Sequence, residues 1–349
     1  MKFDAEALQG FTARVLNRAG LSEQEAATFA ENLIEANLRG VNSHGITRLG
    51  VYAKRVEAGL IVSGAELKIL KEGPATYAFD AGNGPGSVMG TRMMELCIAK
   101  AKKMGCCTAT AMNGTHWGVA SFYARLAARE NLIALVSCNA DAAVVPAGGA
   151  RPMLGTNPLC VAIPAGTHEP LMLDMATSVA ARGKVVQAMK EGRSIPADWS
   201  VDKDGNPTTD PAKALEGYML PFGGYKGYGI GLIIDILCSC LGGSLNSRTC
   251  HSFWYDFEQP QNVGYFMCLI DVSAFLPPEL FLSKVDEVLE DMKKTPTAPG
   301  VQEVLIPGEP EFRNTLKHRA EGITLADSLV EELKALGARY GVAFPEEKN

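Results

Sequence analysis

The feature that most constrains this chain is a change of hydrophobic period near residue 68. Before it, apolar residues recur at helical spacing. Ala26, Phe29, Leu33, Ile34 and Leu38 share one face, behind a Ser22–Glu25 capping box. Gly40 ends that helix. Ile46, Leu49, Tyr52 and Val56 then mark a third helix, stopped by Gly59. After the change the apolar runs shorten. The pattern predicts strands at 75–80, 106–112, 133–138, 159–164 and 171–174, with helices at 86–104 and 119–129 between them. Strand–helix–strand–helix–strand order requires an α/β layer.

Residues 190–221 form a polar stretch broken by Pro196, Pro207, Pro211 and Pro221. Beyond it the pattern predicts a helix from about 225, a strand at 263–272, a helix at 278–293, a strand around 301–306 and helices to the end. The expected fold class is thus α/β. An α/β domain of residues 71–227 is inserted into a mostly helical domain made of residues 1–70 and 228–349.

Charge and cysteine usage narrow the function classes. The net charge is −6 and no basic run exceeds Lys102–Lys103, which argues against nucleic-acid binding. The most apolar stretch, 229–243, is too short to span a bilayer and contains Asp235. No secretory signal is visible at the N-terminus. Nine cysteines, an odd number without a CxxC pair, suit reduced thiols in a cytoplasmic protein. Cys238, Cys240, Cys250 and His251 match no common zinc spacing, and Cys238 and Cys240 face different ways on a helix, so no metal is expected.

The most chemically loaded segment runs from Arg39 to Arg48. If Ser43 caps the third helix, His44 and Arg48 lie four apart on one face. Arg48 can hold a carboxylate through two parallel hydrogen bonds. Its charge and the helix N-terminus should lower the pKa of His44, leaving a neutral base for a hydroxyl proton. The plain structural reading is a Ser cap, a surface His and a solvated Arg. His116 lies between a strand and a helix, where open sheets bind ligands, and equally suits a packed turn. Gly82 to Gly86 has the wrong spacing for a dinucleotide fingerprint, and no Walker A motif occurs. Two further places suit a phosphate or ribose. One is 173–178, expected to pass from strand into helix and carrying Asp174. The other is 223–229, where glycines flank Lys226.

Seven segments together resemble the malate/L-lactate dehydrogenase family that is distinct from the Rossmann-fold lactate and malate enzymes. They are Arg39 to Gly45 with Arg48, Thr115 to Gly118, Val145 to Gly149, Gly155 to Pro158, Leu173 to Ala176, Gly224 to Gly229 and Ile306 to Glu309. That family includes sulfolactate and ureidoglycolate dehydrogenases, diketogulonate reductase and piperideine-carboxylate reductase. The resemblance implies a homodimer with a non-Rossmann nicotinamide site between domains. It implies His44 or His116 as acid–base residue, Ser43 and Asp174 as relay partners, and Arg48 on the substrate carboxylate. It places NAD or NADP near Ala140, Asp174, Met175, Ala176, Tyr225, Lys226, Pro307, Gly308 and Glu309. The chain departs at Ala140, where ureidoglycolate enzymes tend to carry Ser, and at Trp117, where many relatives carry Phe or a smaller residue.

The expected activity is hydride transfer between nicotinamide and C2 of a small 2-hydroxy or 2-keto acid of malate or lactate type. The alternatives are ureidoglycolate oxidation and reduction of a cyclic imine acid. A Ser43–His44–Asp174 hydrolase is a remote rival, since it lacks the GxSxG elbow and adjacent Ser and His are poorly placed to bond in line. A non-catalytic ligand-binding protein is another.

Overall fold

The structure, a computed structural model, describes residues 1–348. The chain opens with β1 (Lys2–Phe3), α1 (Ala5–Ala19), α2 (Glu23–Leu38) and α3 (Leu49–Glu57). Asp4 caps α1 by accepting from the amides of Glu6 and Ala7. At α2 the predicted capping box forms in both directions: Ser22 Oγ accepts from Glu25 N–H, and Glu25 accepts from Ser22 N–H. These helices share a core with the C-terminal α11 (Asp327–Tyr340), built on Phe11, Phe29, Leu33, Tyr52 and Leu333. The β11 strand (Ile323–Thr324) pairs with β1 and ties the two chain ends together.

The α/β layer contains β2 (Lys68–Gly73), β3 (Thr76–Asp80), α4 (Gly86–Met104), β4 (Cys106–Gly114), α5 (Ala120–Arg129), β5 (Leu132–Cys138), β6 (Leu159–Ile163) and β7 (Leu171–Met175). A small unit follows, with α6 (Arg182–Lys190), β8 (Ser200–Val201), α7 (Pro211–Glu216) and β9 (Tyr218–Met219). It has its own core of Val144, Leu154, Val185, Ile195 and Met219. Then come α8 (Tyr225–Ile236), β10 (Val263–Asp271), α9 (Pro278–Lys293) and α10 (Glu309–Glu321).

Seven strands form one mixed sheet in the order β2-β3-β4-β10-β5-β6-β7, with only β3 and β4 parallel. The late strand β10 lies at its centre, antiparallel to both β4 and β5. Residues 263–271, expected within the helical part, therefore belong to the α/β layer. The reason is two-sided burial. Tyr265, Met267 and Leu269 face the core under α4 and α5, while Phe266 and Cys268 face Ile234 and Cys238 at α8 and its end.

Other expectations also shift. The hairpin strand β2 is absent from the expected set, because its side chains are almost all exposed and carry no apolar alternation. Among the described residues no strand occurs at 301–306; that exposed segment has no neighbouring strand. Residues 173–178 do not enter a helix, since β7 ends at Met175 and α6 begins only at Arg182. The third helix begins at Leu49, after two separate 3-10 turns, Asn42–His44 and Ile46–Arg48.

Candidate active site

The two short turns exist because Gly45 sits against Asn37. A Cβ at Gly45 would fall 2.1 Å from Asn37 Oδ1. That oxygen accepts the Ile46 amide at 2.8 Å, so the chain breaks there instead of running straight into α3. Ser43 consequently does not cap the third helix. Its Oγ lies 3.0 Å from His44 Nδ1, a bond that adjacency was expected to hinder and that the tight turn permits. Asp174 makes no bond to either residue. Its carboxylate accepts the Ser121 amide at 2.9 Å at the start of α5, so the hydrolase relay is not assembled.

Arg48 joins the two imidazoles. Its Nε donates to the Ser43 carbonyl at 2.6 Å, Nη1 lies 2.9 Å from His116 Nε2, and Nη2 lies 3.4 Å from His44 Nε2. The two rings, from opposite sides of the period change, stack with centroids 5.8 Å apart. His116 is held from behind. Its amide donates to Gln261 Oε1 at 2.9 Å, the Gly118 amide points to its Nδ1 at 3.2 Å, and the buried Tyr52 hydroxyl forms a very short bond to the same nitrogen. The neighbouring Trp117 anchors the turn. It is 1 % exposed and packed between Tyr123 and Tyr265, with centroids at 4.6 and 4.3 Å.

The electrostatics favour neutral imidazoles. Burial, then the Arg48 charge, hold His44 well below the usual histidine range. Burial does the same to His116, followed by Arg48, His44 and Arg55. Burial also lowers the pKa of Arg48, and it raises that of Tyr52, which keeps the phenol protonated. Burial raises the Asp174 carboxyl against its Ser121 hydrogen bonds, although one side of it is open to solvent.

Sequence reasoning missed four residues here. Helical spacing gives Tyr52 only to the helix core, yet it lies four residues after Arg48, a spacing that pointed it toward the same side of the third helix. Phe253 and Trp254 lie in a loop without any motif, and Arg48 sits 5.5 and 5.0 Å from their ring centroids. Arg55 is fully buried and donates to the carbonyls of Ser252, Phe253, Asp256 and Gln259, fixing that loop.

The residues expected at a cofactor also converge. Ala140 follows β5, and its amide donates to Asn157 Oδ1 at 3.1 Å. Asn157 in turn donates to the Gly231 carbonyl of α8 at 2.9 Å. Asp174 and Met175 end β7, and Ala176 follows them. The Met172 amide donates to the Pro307 carbonyl at 2.9 Å, which brings Pro307 and Gly308 to that strand. Tyr225 and Lys226 begin α8 and are exposed. Glu309 is engaged elsewhere, paired with Lys293 and Arg313 and accepting the Ile306 amide.

These residues fit a dinucleotide. Gly224 has φ 62, and a Cβ there would meet nothing within 4 Å, so the main chain is open to close approach. Asp174 offers an accessible acceptor for a ribose hydroxyl or an amide.

A family model described as malate/L-lactate dehydrogenase matches residues 3–334. The chain is 39 % identical to L-sulfolactate dehydrogenase of Methanocaldococcus jannaschii over 328 residues, 94 % of each protein. It is 35 % identical to the NAD(+)-dependent ureidoglycolate dehydrogenase of Escherichia coli K12, over 100 % of this chain and 99 % of that one. The solved malate dehydrogenase of Entamoeba histolytica superimposes with a TM-score of 0.94 at 31 % identity, covering 99 % of both chains. The chain belongs to the malate/L-lactate dehydrogenase family.

Proposed function

We propose that the protein is an NAD(P)-dependent dehydrogenase that oxidises a small 2-hydroxy acid and reduces the matching 2-keto acid. The observation that carries this reading is the single guanidinium of Arg48 between two neutral imidazole Nε2 atoms. A carboxylate on Arg48 brings C2 and its oxygen to those nitrogens, so proximity supplies much of the rate. The bound nicotinamide supplies the hydride acceptor at C2 in oxidation and the donor in reduction. Residues 140, 174–176, 225–226 and 307–308 would hold it.

The two histidines take different roles. Arg48 Nη2–H points at His44 Nε2, which assigns the ring proton to Nδ1, facing Ser43 Oγ, and leaves the Nε2 lone pair to accept the hydroxyl proton. Around His116 the Gly118 amide points at Nδ1 and Arg48 Nη1 at Nε2, and the Tyr52 hydroxyl beside Nδ1 can donate or accept. Taking Nδ1 as the acceptor of the Gly118 amide assigns the ring proton to Nε2. Nε2–H and Arg48 Nη1 then face each other at 2.9 Å as two donors. A substrate oxygen between them satisfies both. His44 is therefore the base, and His116 polarises the substrate oxygen. Asp174 fixes the start of α5 and offers its free side to the cofactor.

The exposed apolar residues Tyr225, Ile233, Ile236 and Leu241 around α8 suit a homodimer interface, which sedimentation velocity reads directly. Among the described residues no helix is long and apolar enough to cross a membrane. The reading as a cytoplasmic enzyme rests on the nine free cysteines. Fluorescence titration with NADH and NADPH, followed by a screen of 2-keto acids for loss of absorbance, tests the function. Binding of neither cofactor defeats it.

A further inference from the structure

We infer that the substrate carries one anionic group only, its carboxylate, and an apolar or aromatic group beyond C2 that packs against Trp254. The inference rests on the 2-hydroxy-acid reading above and narrows its substrate class.

The first observation is the wall around the carboxylate anchor. Arg48 lies 5.0 Å from the Trp254 ring centroid and 5.5 Å from that of Phe253. His116 lies 4.7 Å from Phe253, centroid to centroid. Phe253 is 2 % exposed, whereas Trp254 is 46 % exposed and has ring surface left to receive a ligand. Arg48 Cζ thus lies over both rings, and its Nη1 and Nη2 N–H groups, turned toward the imidazoles, are the ones a carboxylate would take.

The second observation is that the wall is rigid. Arg55 donates to four main-chain carbonyls between Ser252 and Gln259, at 2.7 to 3.5 Å. The Asp141 carboxylate is hydrogen-bonded by Ser252 and by the Phe253 amide. A subsite held from both sides discriminates shape better than a loose loop does.

The third is the charge balance. Among the described residues, the cations that bear on the two imidazoles are Arg48 and Arg55. Arg55 is fully buried; its two Nη groups are engaged by the loop carbonyls, and only Nε is left without a partner. Asp141 adds a negative charge that bears on Arg48. A second carboxylate or sulfonate would lose its water and meet aromatic rings and an aspartate. Malate and sulfolactate, the acids named for several relatives, both carry that second group.

The test is steady-state reduction by the full-length protein with whichever nicotinamide cofactor it binds better. The acids are pyruvate, 4-methyl-2-oxopentanoate, phenylpyruvate, oxaloacetate and 3-sulfopyruvate. The expected result is a kcat/KM about 10-fold or more higher for the branched or aromatic acid than for either dianion. Trp254→Ala and the milder Trp254→Leu should lower the ratio of the phenylpyruvate to the pyruvate kcat/KM by roughly 10-fold, mainly through the phenylpyruvate KM. A wild-type preference for oxaloacetate or 3-sulfopyruvate overturns the inference and leaves the dehydrogenase reading standing. Unchanged selectivity in a folded Trp254 variant also overturns it. No reduction of any acid with NADH or NADPH refutes the dehydrogenase reading itself.

Discussion

Replacing Arg48 by Gln probes the carboxylate anchor and the acid–base chemistry together. The side chain makes one bond to the Ser43 carbonyl and points two further N–H groups at His116 and His44. A substrate carboxylate would take the latter pair. Hydrogen bonds to a charged group contribute about 1.5–3 kcal/mol each. Arg48 is only half-buried, and Gln retains one donor, so about 3 kcal/mol of the pair should be lost. At 1.4 kcal/mol per decade that is roughly a 150-fold drop in kcat/KM. The same change removes the charge that helps hold both histidines below their usual range. Oxidation needs a neutral base, so its rate falls as pH drops through the pKa of His44 in the folded protein. In Arg48→Gln that acidic limb should move up toward the ordinary histidine range. The assay is kcat/KM for the best-used 2-hydroxy acid across the pH range, beside its amide, which lacks the carboxylate. An equal loss on acid and amide, or an unmoved acidic limb, refutes the reasoning.

Three other outcomes are expected. His44→Gln should lower kcat by roughly 10²–10⁴-fold with little change in KM, whereas His116→Gln should raise KM as well; near-wild-type turnover in both sinks the mechanism. Because His44 and His116 titrate lower folded than unfolded, the unfolded chain binds more protons between the two values. Their contribution to stability is therefore present above the unfolded pKa and lost as pH falls. Thermal melts from pH 7 to 5 should show a falling Tm, with a shallower slope in the double Gln variant; equal slopes would contradict it. Trp117→Ala should cost about 3–5 kcal/mol in urea unfolding, since it empties the stack between Tyr123 and Tyr265, and a loss under about 1 kcal/mol would show that this stack does not anchor His116.

Much of the fold was legible because local signals agree with it. The Ser22–Glu25 box, the helical spacing of α2 and the apolar runs of β4, β5, β6 and β7 each act within a few residues. What escaped depends on distant partners. Nothing in 263–271 states that the strand will enter between β4 and β5, because register is chosen by burial on both faces. The break before α3 depends on Asn37, eight residues before Gly45 and on another helix. In the site, Ser43, His44, Arg48 and His116 stand out as residue types that suit the chemistry. Arg55, Phe253 and Trp254 do not, because their roles come from a loop 200 residues away in the chain for Arg55 and from packing alone for the aromatics. The resemblance grouped Ala140, Asp174 and Gly308; the chain places Ala140 after β5 and Asp174 in β7 of one sheet with β6 between them, and the Met172–Pro307 bond brings Gly308 to β7.

The central claim is that this site moves hydride to C2 of a 2-keto acid. Its most direct test is isotope transfer. The protein is incubated with NADH or NADPH carrying two deuteriums at C4 and a 2-keto acid that it reduces, and the product is read by mass spectrometry and proton NMR. The account predicts one deuterium at C2 of the hydroxy acid, retained in water. A product with hydrogen from solvent at C2, or cofactor that keeps both deuteriums while the keto acid is consumed, would contradict it.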